Sequence, residues 1–383
     1  MEAFSFYLPT RIYFGAETWR EALEKEQAHL QGTVMVVSTG RSLQRLGYLP
    51  AFVEALEALR GGRSVLIYDH VSANPRLKEV EEAVRIGRED GVDTVIGFGG
   101  GSAMDAAKAT AAGIGSEHSV RDLLLKGITP SEKTPRIYAV PTTAGTGSEL
   151  SRGAILSSPE DGVKTGIRGE HIAPAVAIVD SSFTYHVPPR TTAETGFDVF
   201  AHAMESFVSR RSNDVSRMLS ERAIALVGKH LPHLMEQPDD HASRDAMSYA
   251  SLLMGSNLAH VGTALPHRMQ YPVGAHTDTS HGAGLLALYP AWLRHEYAAG
   301  ETSAARIDRT MTLLSGHACE GWAACEEAFS DFLAALDVRK GLRALGIQGE
   351  AAALAAEVTG AIDRDPAAEE PDILRKIYEA SME

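Results

Sequence analysis

The amino-acid sequence predicts two domains, an α/β N-terminal domain built on a parallel sheet and an all-α C-terminal domain. A chain of 383 residues is too long for one ordinary hydrophobic core. Its first half alternates short β-branched runs with amphipathic segments, which is the pattern of parallel strands joined by crossover helices. After about Val187 the sequence becomes rich in Ala and Leu and contains few strand-like runs.

The first domain should begin with a hairpin around Phe6–Phe14. Five further strands are predicted where β-branched and aromatic residues cluster between turn residues. They are Thr33–Val37, Ser64–Tyr68, Thr94–Phe98, Arg136–Val140 and Ala175–Val179.

Helices are predicted where apolar residues recur at helical spacing, as in Pro50–Arg60 and Leu77–Glu89. In the second half, Ala351–Val358 is one such segment. The adjacent prolines Pro188 and Pro189 interrupt regular structure and predict the domain boundary. We therefore expect domains at residues 1–186 and 187–383.

The composition argues against several functional classes. The chain has 36 basic and 50 acidic residues, a formal net charge of −14, and no Lys/Arg-rich run, so nucleic acid is not an expected partner. We see neither a basic leader nor an apolar run of 18 residues, so a membrane is not an expected partner. Cys319 and Cys325 are the only cysteines, which is typical of a reducing compartment. We expect a cytoplasmic protein that acts on a small molecule.

Four side chains form a candidate metal site. Asp198 and His202 are four residues apart and would share one face of a helix, and His267 and His281 follow later in the chain. One carboxylate and three imidazoles suit Fe(II) or Zn(II) and leave room for a substrate oxygen. Glu205 continues the same helix face and could support a ligand.

The two later histidines require a turn in the chain. A continuous helix would hold His267 and His281 roughly 21 Å apart. Pro272 and Gly274 are the expected positions of the turn. The alternative for the whole cluster is coincidence, because 15 histidines make some Asp–His pairs at helical spacing unavoidable and His281 could lie in a loop.

A candidate phosphate-binding loop follows the strand Thr94–Phe98. Gly99, Gly100, Gly101 and Ser102 precede a predicted helix, so a pyrophosphate could approach the backbone and the positively polarised helix start. The spacing matches neither the Rossmann nor the P-loop fingerprint, and a purely structural turn is the alternative. A second polar loop, Pro141–Glu149, follows the next strand, at the edge where open α/β sheets bind ligands.

These motifs together resemble the iron-containing (group III) alcohol dehydrogenase family. The resemblance rests on GGGSAMDAAK, PTTAGTGSE, VPPRTTAETGFDVFAHAMESF and the later histidine pair, in the family's order over most of the chain. It implies a dehydroquinate synthase-like architecture, with a dinucleotide-binding α/β domain, a helical domain and an active-site cleft between them. It also implies reversible hydride transfer between NAD(P)H and an aldehyde or ketone.

The resemblance assigns roles to individual residues. It implies that Asp198, His202, His267 and His281 bind the metal. The residues implied beside the cofactor pyrophosphate and ribose are Gly99, Gly100, Gly101, Ser102 and Asp105. Those implied on the nicotinamide side are Thr142, Thr143 and Thr146. Lys164 stands where such proteins usually carry a lysine.

One departure from the family concerns the proton donor. The family often has a second histidine four residues after the equivalent of His267, where this chain has Tyr271. A tyrosine hydroxyl titrates near pH 10, so Tyr271 could shape the substrate pocket while a water supplies the proton. His276 is a candidate substitute, and a surface loop position is its alternative.

Another departure concerns cofactor choice. NAD-selective members tend to have an acidic residue after the second strand, where this chain reads STGRS. Gly40 removes the charge repulsion, while Arg41 and Ser42 could bind a 2′-phosphate. We therefore predict a preference for NADPH over NADH, the alternative being that Arg41 points to solvent.

The predicted activity is metal-dependent reduction of a small aldehyde or ketone, with the metal polarising the carbonyl oxygen. Polar residues at Tyr271, His276, Thr277 and Asp278 suggest a compact, partly polar substrate. Alternatives are a glycerol dehydrogenase-like or dehydroquinate synthase-like enzyme, and a non-catalytic nucleotide-binding protein. A homodimer is expected, because the opening hairpin offers an edge for a second subunit.

Overall fold

The computed structural model describes residues 3–39, 41–277 and 279–383. Their contacts form two compact units. The α/β unit comprises Leu8–Thr143 and Gly147–Tyr185, and the helical unit comprises the residues up to Tyr7, Ala144–Thr146 and His186–Glu383. We propose that these units are the two domains expected at residues 1–186 and 187–383.

The α/β unit alternates strands with helices along most of its length. Its strands are β1 (Arg11–Phe14), β2 (Val34–Ser38), β3 (Leu66–Tyr68), β4 (Thr94–Gly99), β5 (Arg136–Pro141), β6 (Gly153–Ser158), β7 (Val163–Arg168) and β8 (Val176–Val179). Its helices are α1 (Trp19–Lys25), α2 (Arg41–Arg45), α3 (Tyr48–Leu59), α4 (Leu77–Glu89), α5 (Gly101–Ile114) and α6 (Val120–Leu125).

Six strands form one parallel sheet in the order β1-β8-β5-β4-β2-β3, which confirms the predicted fold class. Alternate residues of a strand point to opposite faces, and here they enter two separate cores. Met35 and Val95 belong to one core, whereas Val36 and Ile96 belong to the other. Both faces of the sheet are therefore covered, which explains the nearly continuous apolar runs in the sequence.

The prediction of an opening hairpin was wrong. Arg11–Phe14 is a single strand that pairs in parallel with β8. The residues before Pro9 make other contacts, because Phe6 stacks on the ring of His260 at 3.9 Å and the Tyr7 backbone N–H donates to that ring at 2.9 Å. The antiparallel pair β6–β7 was not predicted.

The helical unit contains helices of 7 to 23 residues around one core. They are α7 (Pro189–Val208), α8 (Asp214–Glu236), α9 (His241–His260), α10 (Leu265–His276), α11 (His281–Ala298), α12 (Glu301–Ser315), α13 (Trp322–Leu336), α14 (Ala351–Glu357) and α15 (Ile373–Ala380). Helix α7 is buried from Thr192 to Val208 except at Thr195, and it contacts α8, α9, α11 and α12. A helix buried on all sides is the centre of its core. Among the described residues, none of the helices has the length and apolar character that a membrane span requires.

Candidate metal centre and nucleotide-binding loops

Three helices of the helical unit bring the four predicted metal ligands together. Asp198 and His202 lie on α7, His267 lies on α10, and His281 is the first residue of α11. The Oδ1 atom of Asp198 is 3.3 Å from Nε2 of His267, 3.6 Å from Nδ1 of His202 and 3.7 Å from Nε2 of His281. The rings of His202 and His267 have centroids 4.4 Å apart. The donor atoms of Asp198, His267 and His281 all lie within 4.8 Å of one another, so one ion could contact these three, and His202 lies beside Asp198.

The turn that brings His281 to the cluster is not where the sequence predicted it. Helix α10 continues through Pro272 and Gly274 and ends at His276. The backbone of Thr277 is extended, and the Ser280 hydroxyl caps α11 by accepting the Ala283 N–H. A proline removes one helical hydrogen bond, but Pro272 and Gly274 are both buried, and their packing keeps the helix continuous.

A glycine holds the start of α11 close to α7. A Cβ atom on Gly282 would lie 2.2 Å from the backbone oxygen of Glu194. Only glycine allows so close an approach of the two backbones. This contact determines how far His281, the preceding residue, lies from Asp198.

The donor atoms at the centre of the cluster have no hydrogen-bond partner among the described residues. They are Oδ1 of Asp198, Nδ1 of His202 and Nε2 of His267, all buried. Each such atom costs about 1–3 kcal/mol of stability when nothing satisfies it. A carboxylate oxygen and imidazole nitrogens are suitable ligands for a divalent transition metal, so the cluster fits the predicted cofactor.

Neighbouring residues orient two of the imidazoles. Glu205, which is fully buried, accepts the His267 Nδ1–H at 2.6 Å and the Ala264 backbone N–H at 2.6 Å. The Nδ1–H of His281 donates to Oε1 of Gln270 at 2.5 Å. Each bond leaves the opposite nitrogen, Nε2, directed at Asp198. Gln270 was missed in the sequence, although its position three residues after His267 is a usable signal.

The electrostatics of the cluster favour a bound cation. Burial works to raise the pKa of Asp198, but the three imidazoles outweigh it and hold that pKa well below its ordinary value. Burial lowers the pKa of His202 to about 4. Burial also lowers the pKa of His267, but Glu205 and Asp198 outweigh burial and raise it to about 9. A metal ion at the cluster therefore competes with one proton on His267.

The cluster is open on one side. The side chain of His281 is 28% exposed, whereas those of Asp198, His202 and His267 are 4%, 5% and 4% exposed. A small molecule could therefore approach the metal position from the side of His281.

The two candidate proton donors lie in different surroundings. Tyr271 is half-buried one turn beyond His267 on α10, and the guanidinium carbon of Arg268 is 5.7 Å from its ring centroid. His276 is 51% exposed, and its Nε2 atom lies 2.8 Å from the carboxylate of Glu357. The structure thus places His276 in a surface hydrogen bond with Glu357, because it lies on the last turn of α10, beyond the buried part of that helix.

The glycine loop of the α/β unit joins β4 to α5. Gly99 has φ +153°, and a Cβ atom there would lie 2.7 Å from that of Ala103. Gly100 precedes α5 and lacks a side-chain cap, and a Cβ atom on it would lie 3.2 Å from the Thr143 hydroxyl. The first N–H groups of α5 follow Gly101, so this turn has the features of an anion-binding helix start.

Two polar residues of this loop and helix are engaged with the protein itself. The Ser102 hydroxyl donates to the Ala73 carbonyl at 2.5 Å. Asp105, expected beside the ribose, accepts the Ser148 hydroxyl at 2.5 Å and the Ile155 N–H at 2.8 Å. Asp105 therefore connects α5 to β6 and to the loop that follows β5.

A buried lysine missed in the sequence analysis completes this connection. Lys108 is fully buried, and its ammonium donates to the Ser148 carbonyl at 3.0 Å, the Ser151 hydroxyl at 3.0 Å and the Gly153 carbonyl at 2.6 Å. Its nitrogen also lies 3.2 Å from Asp105. Its burial could have been predicted from the sequence, because Lys108 is the one lysine in the Ala-rich helix α5.

The remaining cofactor candidates lie at several positions. Lys164 donates to Oδ1 of Asn74 at 3.1 Å, and burial lowers its pKa to about 8. Thr142 is buried, Thr143 faces Gly100, and Thr146 belongs to the helical unit.

The segment predicted to select the cofactor follows β2. Strands β2 and β4 run side by side, with Ser38 opposite Phe98, so the loops after them share one sheet edge. Arg41 and Ser42 are exposed in the first turn of α2. Gly40 and Asp278 lie outside the described residues.

Comparison with known proteins agrees with the resemblance read from the motifs. Residues 9–181 match the family model "Iron-containing alcohol dehydrogenase", and residues 192–382 match "Fe-containing alcohol dehydrogenase family, C-terminal". A sulfoacetaldehyde reductase of Bilophila wadsworthia is 29% identical, with 100% of each chain covered. NADH-dependent butanol dehydrogenase B of Clostridium acetobutylicum is 31% identical, with 77% of this chain and 76% of that protein covered.

Solved structures of alcohol dehydrogenases are similar to the fold of this chain. The crystal structure of an archaeal halo-thermophilic alcohol dehydrogenase from a Red Sea brine pool has a TM-score of 0.92 and 29% identity, and the match covers 100% of this chain and 99% of that one. Both halves of the chain match the family, in order, and the four clustered side chains suit its metal. The protein belongs to the iron-containing alcohol dehydrogenase family, and it is an oxidoreductase that acts on alcohols and aldehydes.

Proposed function

We propose that this protein is a metal-dependent, NADPH-preferring aldehyde reductase that also runs in the alcohol-oxidising direction. Its substrate is a small, partly polar aldehyde or ketone. The observation that carries this proposal is the convergence of buried, unpartnered donor atoms of Asp198, His202 and His267 beside the open side at His281.

The metal is held by Asp198, His202, His267 and His281. Fe(II) and Zn(II) both suit one carboxylate and three imidazoles. When bound, such an ion acts as a Lewis acid toward a carbonyl oxygen. Glu205 and Gln270 keep the imidazoles of His267 and His281 in the orientation that this ligation requires.

The cofactor pyrophosphate is held at the glycine turn, Gly99–Ser102. Support comes from the close packing at Gly99 and from the uncapped start of α5. Thr142, Thr143 and Thr146 are proposed to line the nicotinamide side, and Lys164 is proposed as a further cofactor-binding residue. We assign Asp105 a supporting role, because both of its oxygens bond to other parts of the protein.

The preference for NADPH rests on the segment after β2. Arg41 lies at the same sheet edge as the glycine turn, and Thr39 Oγ1 lies 3.8 Å from the Cβ position of Gly99. An arginine there provides a positive charge for a 2′-phosphate. Replacing Arg41 with Ala should lower kcat/KM for NADPH about tenfold and leave that for NADH unchanged. Equal losses with both cofactors would contradict this preference.

Proton supply is assigned to the side of α10 that carries His267. Tyr271 is half-buried one turn from His267 and is proposed to shape the pocket around the substrate while a water supplies the proton. The pairing of His276 with Glu357 at the surface favours a structural role for that histidine.

The protein is proposed to act in the cytoplasm as a homodimer. Both cysteines are buried and free, which suits a reducing compartment. Strand β1 is an edge of the sheet, and edge strands are able to pair with a second subunit. Light scattering coupled to size-exclusion chromatography should give twice the 41.0 kDa chain mass.

The test of the proposed function is anaerobic reconstitution with Fe(II) or Zn(II), followed by NADPH and NADH oxidation with a panel of small aldehydes. His267→Ala should lose both stoichiometric metal and turnover. His317→Ala, an exposed histidine of the same unit, should keep both. Wild-type protein that holds stoichiometric metal but reduces no aldehyde would overturn the proposal.

A further inference from the structure

Arg268 directly follows His267 on α10 and forms no ion pair with any residue that the structure describes. Its side chain is half-buried, and its Nε atom is buried without a hydrogen bond. Within residues 3–39, 41–277 and 279–383, no carboxylate lies at ion-pair distance from Arg268, although the chain carries a formal charge of −14. Two other arginines have an unbonded buried Nε, but Arg152 also pairs with Glu170 at 3.4 Å and Arg364 donates to the Val261 carbonyl at 3.1 Å.

Leaving a buried N–H of a guanidinium without an acceptor is costly. Arginine carries five N–H donors and stays charged at any pH that a protein tolerates. Other arginines of the helical unit do pair with acids, as in Arg210–Glu369, Arg294–Glu326 and Arg309–Glu221. A buried donor that is not satisfied within the protein suggests that something outside the chain satisfies it.

The position of the guanidinium is defined by two neighbours. Its carbon lies 5.7 Å from the ring centroid of Tyr271. On another side is Gly360, where a Cβ atom would lie 3.3 Å from Cδ and 3.4 Å from Nε of Arg268. Gly360 has φ +99°, so a larger residue is disfavoured there and the space for the arginine is kept.

This position is close to the metal cluster along α10. Residues four apart share a helix face with Cβ atoms about 5–6 Å apart, so Tyr271 lies beside His267. The guanidinium of Arg268, whose carbon lies 5.7 Å from the centroid of the Tyr271 ring, is thus on the same stretch of α10 as His267. An arginine fork binds carboxylates and sulfonates through paired hydrogen bonds.

We propose that Arg268 binds an anionic group of the substrate, so that the preferred substrates are short aldehydes carrying a carboxylate or a sulfonate. This inference rests on the proposed aldehyde reductase function. It narrows the substrate class from partly polar to negatively charged at the end remote from the carbonyl. Arg268 is then a specificity residue, because it acts on substrate binding and leaves the metal ligands unchanged.

The experiment compares aldehydes that differ only in the anionic group. 4-Oxobutanoate is paired with butanal, and 2-oxoethanesulfonate is paired with propanal, so that a methyl group replaces each anion. kcat/KM is measured for metal-loaded wild type, Arg268→Met, Arg268→Lys and Arg294→Met. Arg294 is the matched control, since it also lies over an aromatic ring, that of Trp322 at 5.6 Å, but pairs with Glu326.

Wild type should prefer each anionic aldehyde to its neutral partner. Arg268→Met should lower kcat/KM for the anionic aldehydes about 10- to 100-fold and leave the neutral ones within about twofold, because only a charge-assisted contact is lost. Arg268→Lys should restore part of the loss, and Arg294→Met should change neither value. The two pairs also show whether carboxylate or sulfonate is preferred. No anion preference in wild type, or equal losses on anionic and neutral aldehydes in Arg268→Met, would overturn the inference.

A binding measurement separates this inference from the proposed function. Calorimetric titration of metal-loaded protein with 4-hydroxybutanoate and with butan-1-ol should show tighter binding of the anion in wild type and no difference in Arg268→Met. If no aldehyde is reduced but this difference is found, the proposed reaction fails and the anion site stands. If aldehydes are reduced and the anion binds no tighter, the reaction stands and the anion site is wrong.

Discussion

Glu205 links a candidate metal ligand to the start of α10. Its two oxygens accept the Nδ1–H of His267 and the backbone N–H of Ala264, and its side chain is fully buried. A carboxylate in this position fixes the imidazole and increases its basicity toward a metal. Glu205 is therefore expected to act through His267, as a positioning residue.

Glu205→Gln should weaken metal binding about 10- to 100-fold, because an amide is a poorer acceptor for the His267 N–H. The measurement is metal retention against a chelator of known affinity. Glu236→Gln, at an exposed position on α8, is the control and should bind metal as wild type does. Equal retention in the two variants would show that Glu205 has no influence on the ion.

At the scale of elements, close backbone contacts position the helices that carry the cluster. Helix α11 approaches α7 at Gly282, where a Cβ atom would meet the Glu194 carbonyl at 2.2 Å. In the α/β unit, Lys108 and Asp105 join α5 to β6 through buried polar contacts. Packed elements of this kind respond to added or lost atoms by shifting as units.

Gly282→Ala should move the start of α11 away from α7 and displace His281. We expect a loss of about 1–3 kcal/mol in the free energy of unfolding, together with weaker metal binding. The measurements are denaturant unfolding and metal content. Gly349→Ala is the matched control, since nothing lies within 4 Å of a Cβ atom there and its φ is not positive. Metal binding that survives in Gly282→Ala would contradict this account.

Lys108→Met should destabilise the α/β unit by about 3–5 kcal/mol, because it leaves the partly buried Asp105 carboxylate without its cation and two carbonyls without their donor. Denaturant unfolding gives the free energy. Lys133→Met, an exposed lysine of the same unit, should change stability by less than about 0.5 kcal/mol. Similar stabilities for both variants would mean that Lys108 contributes little.

At the scale of the whole molecule, stability should depend on pH through a buried carboxyl pair in the helical unit. Burial, with Asp365 nearby, raises the pKa of Glu296 to about 9, and burial also raises that of Asp365. Asp365 accepts the Leu265 N–H at the start of α10, and Glu296 accepts the Ala367 N–H. Because these pKa values are raised, the carboxyl pair retains a proton near neutral pH. Its hydrogen bonds join the start of α10 to the segment at Ala367.

The sign of the effect follows from the raised pKa. Between about pH 5 and pH 9 the folded protein keeps a proton that the unfolded chain has lost, so stability falls as the pH rises through this range. Glu296→Gln removes this dependence, because an amide does not titrate. From pH 6 to pH 9 the Tm of the variant should fall by roughly 4 °C less than the Tm of wild type. Glu327→Gln, at an exposed position, should follow wild type. Parallel Tm curves for wild type and Glu296→Gln would exclude the pair as the source.

Several features of the fold could be predicted from the sequence because they depend on neighbours along the chain. Helix α4 was predicted with its observed bounds, since Val80, Ala83 and Val84 repeat at helical spacing. Strands β2 and β4 were predicted to within one or two residues, because both of their faces are buried and their residues are apolar throughout. The half-exposed pair β6–β7 was missed, because its strands lack such a run.

The sequence by itself determined the alternating α/β half, the helical half and the spacing of Asp198 and His202, because periodicity is a local property. The tertiary structure decided which side chains meet. It continued α10 to His276 and began α11 at His281, paired Gln270 with His281, used Asp105 and Lys108 to join α5 to β6, and left the buried Nε of Arg268 without a hydrogen-bond partner among the described residues. These outcomes depend on contacts between residues far apart in the chain, where burial and close packing choose the partner.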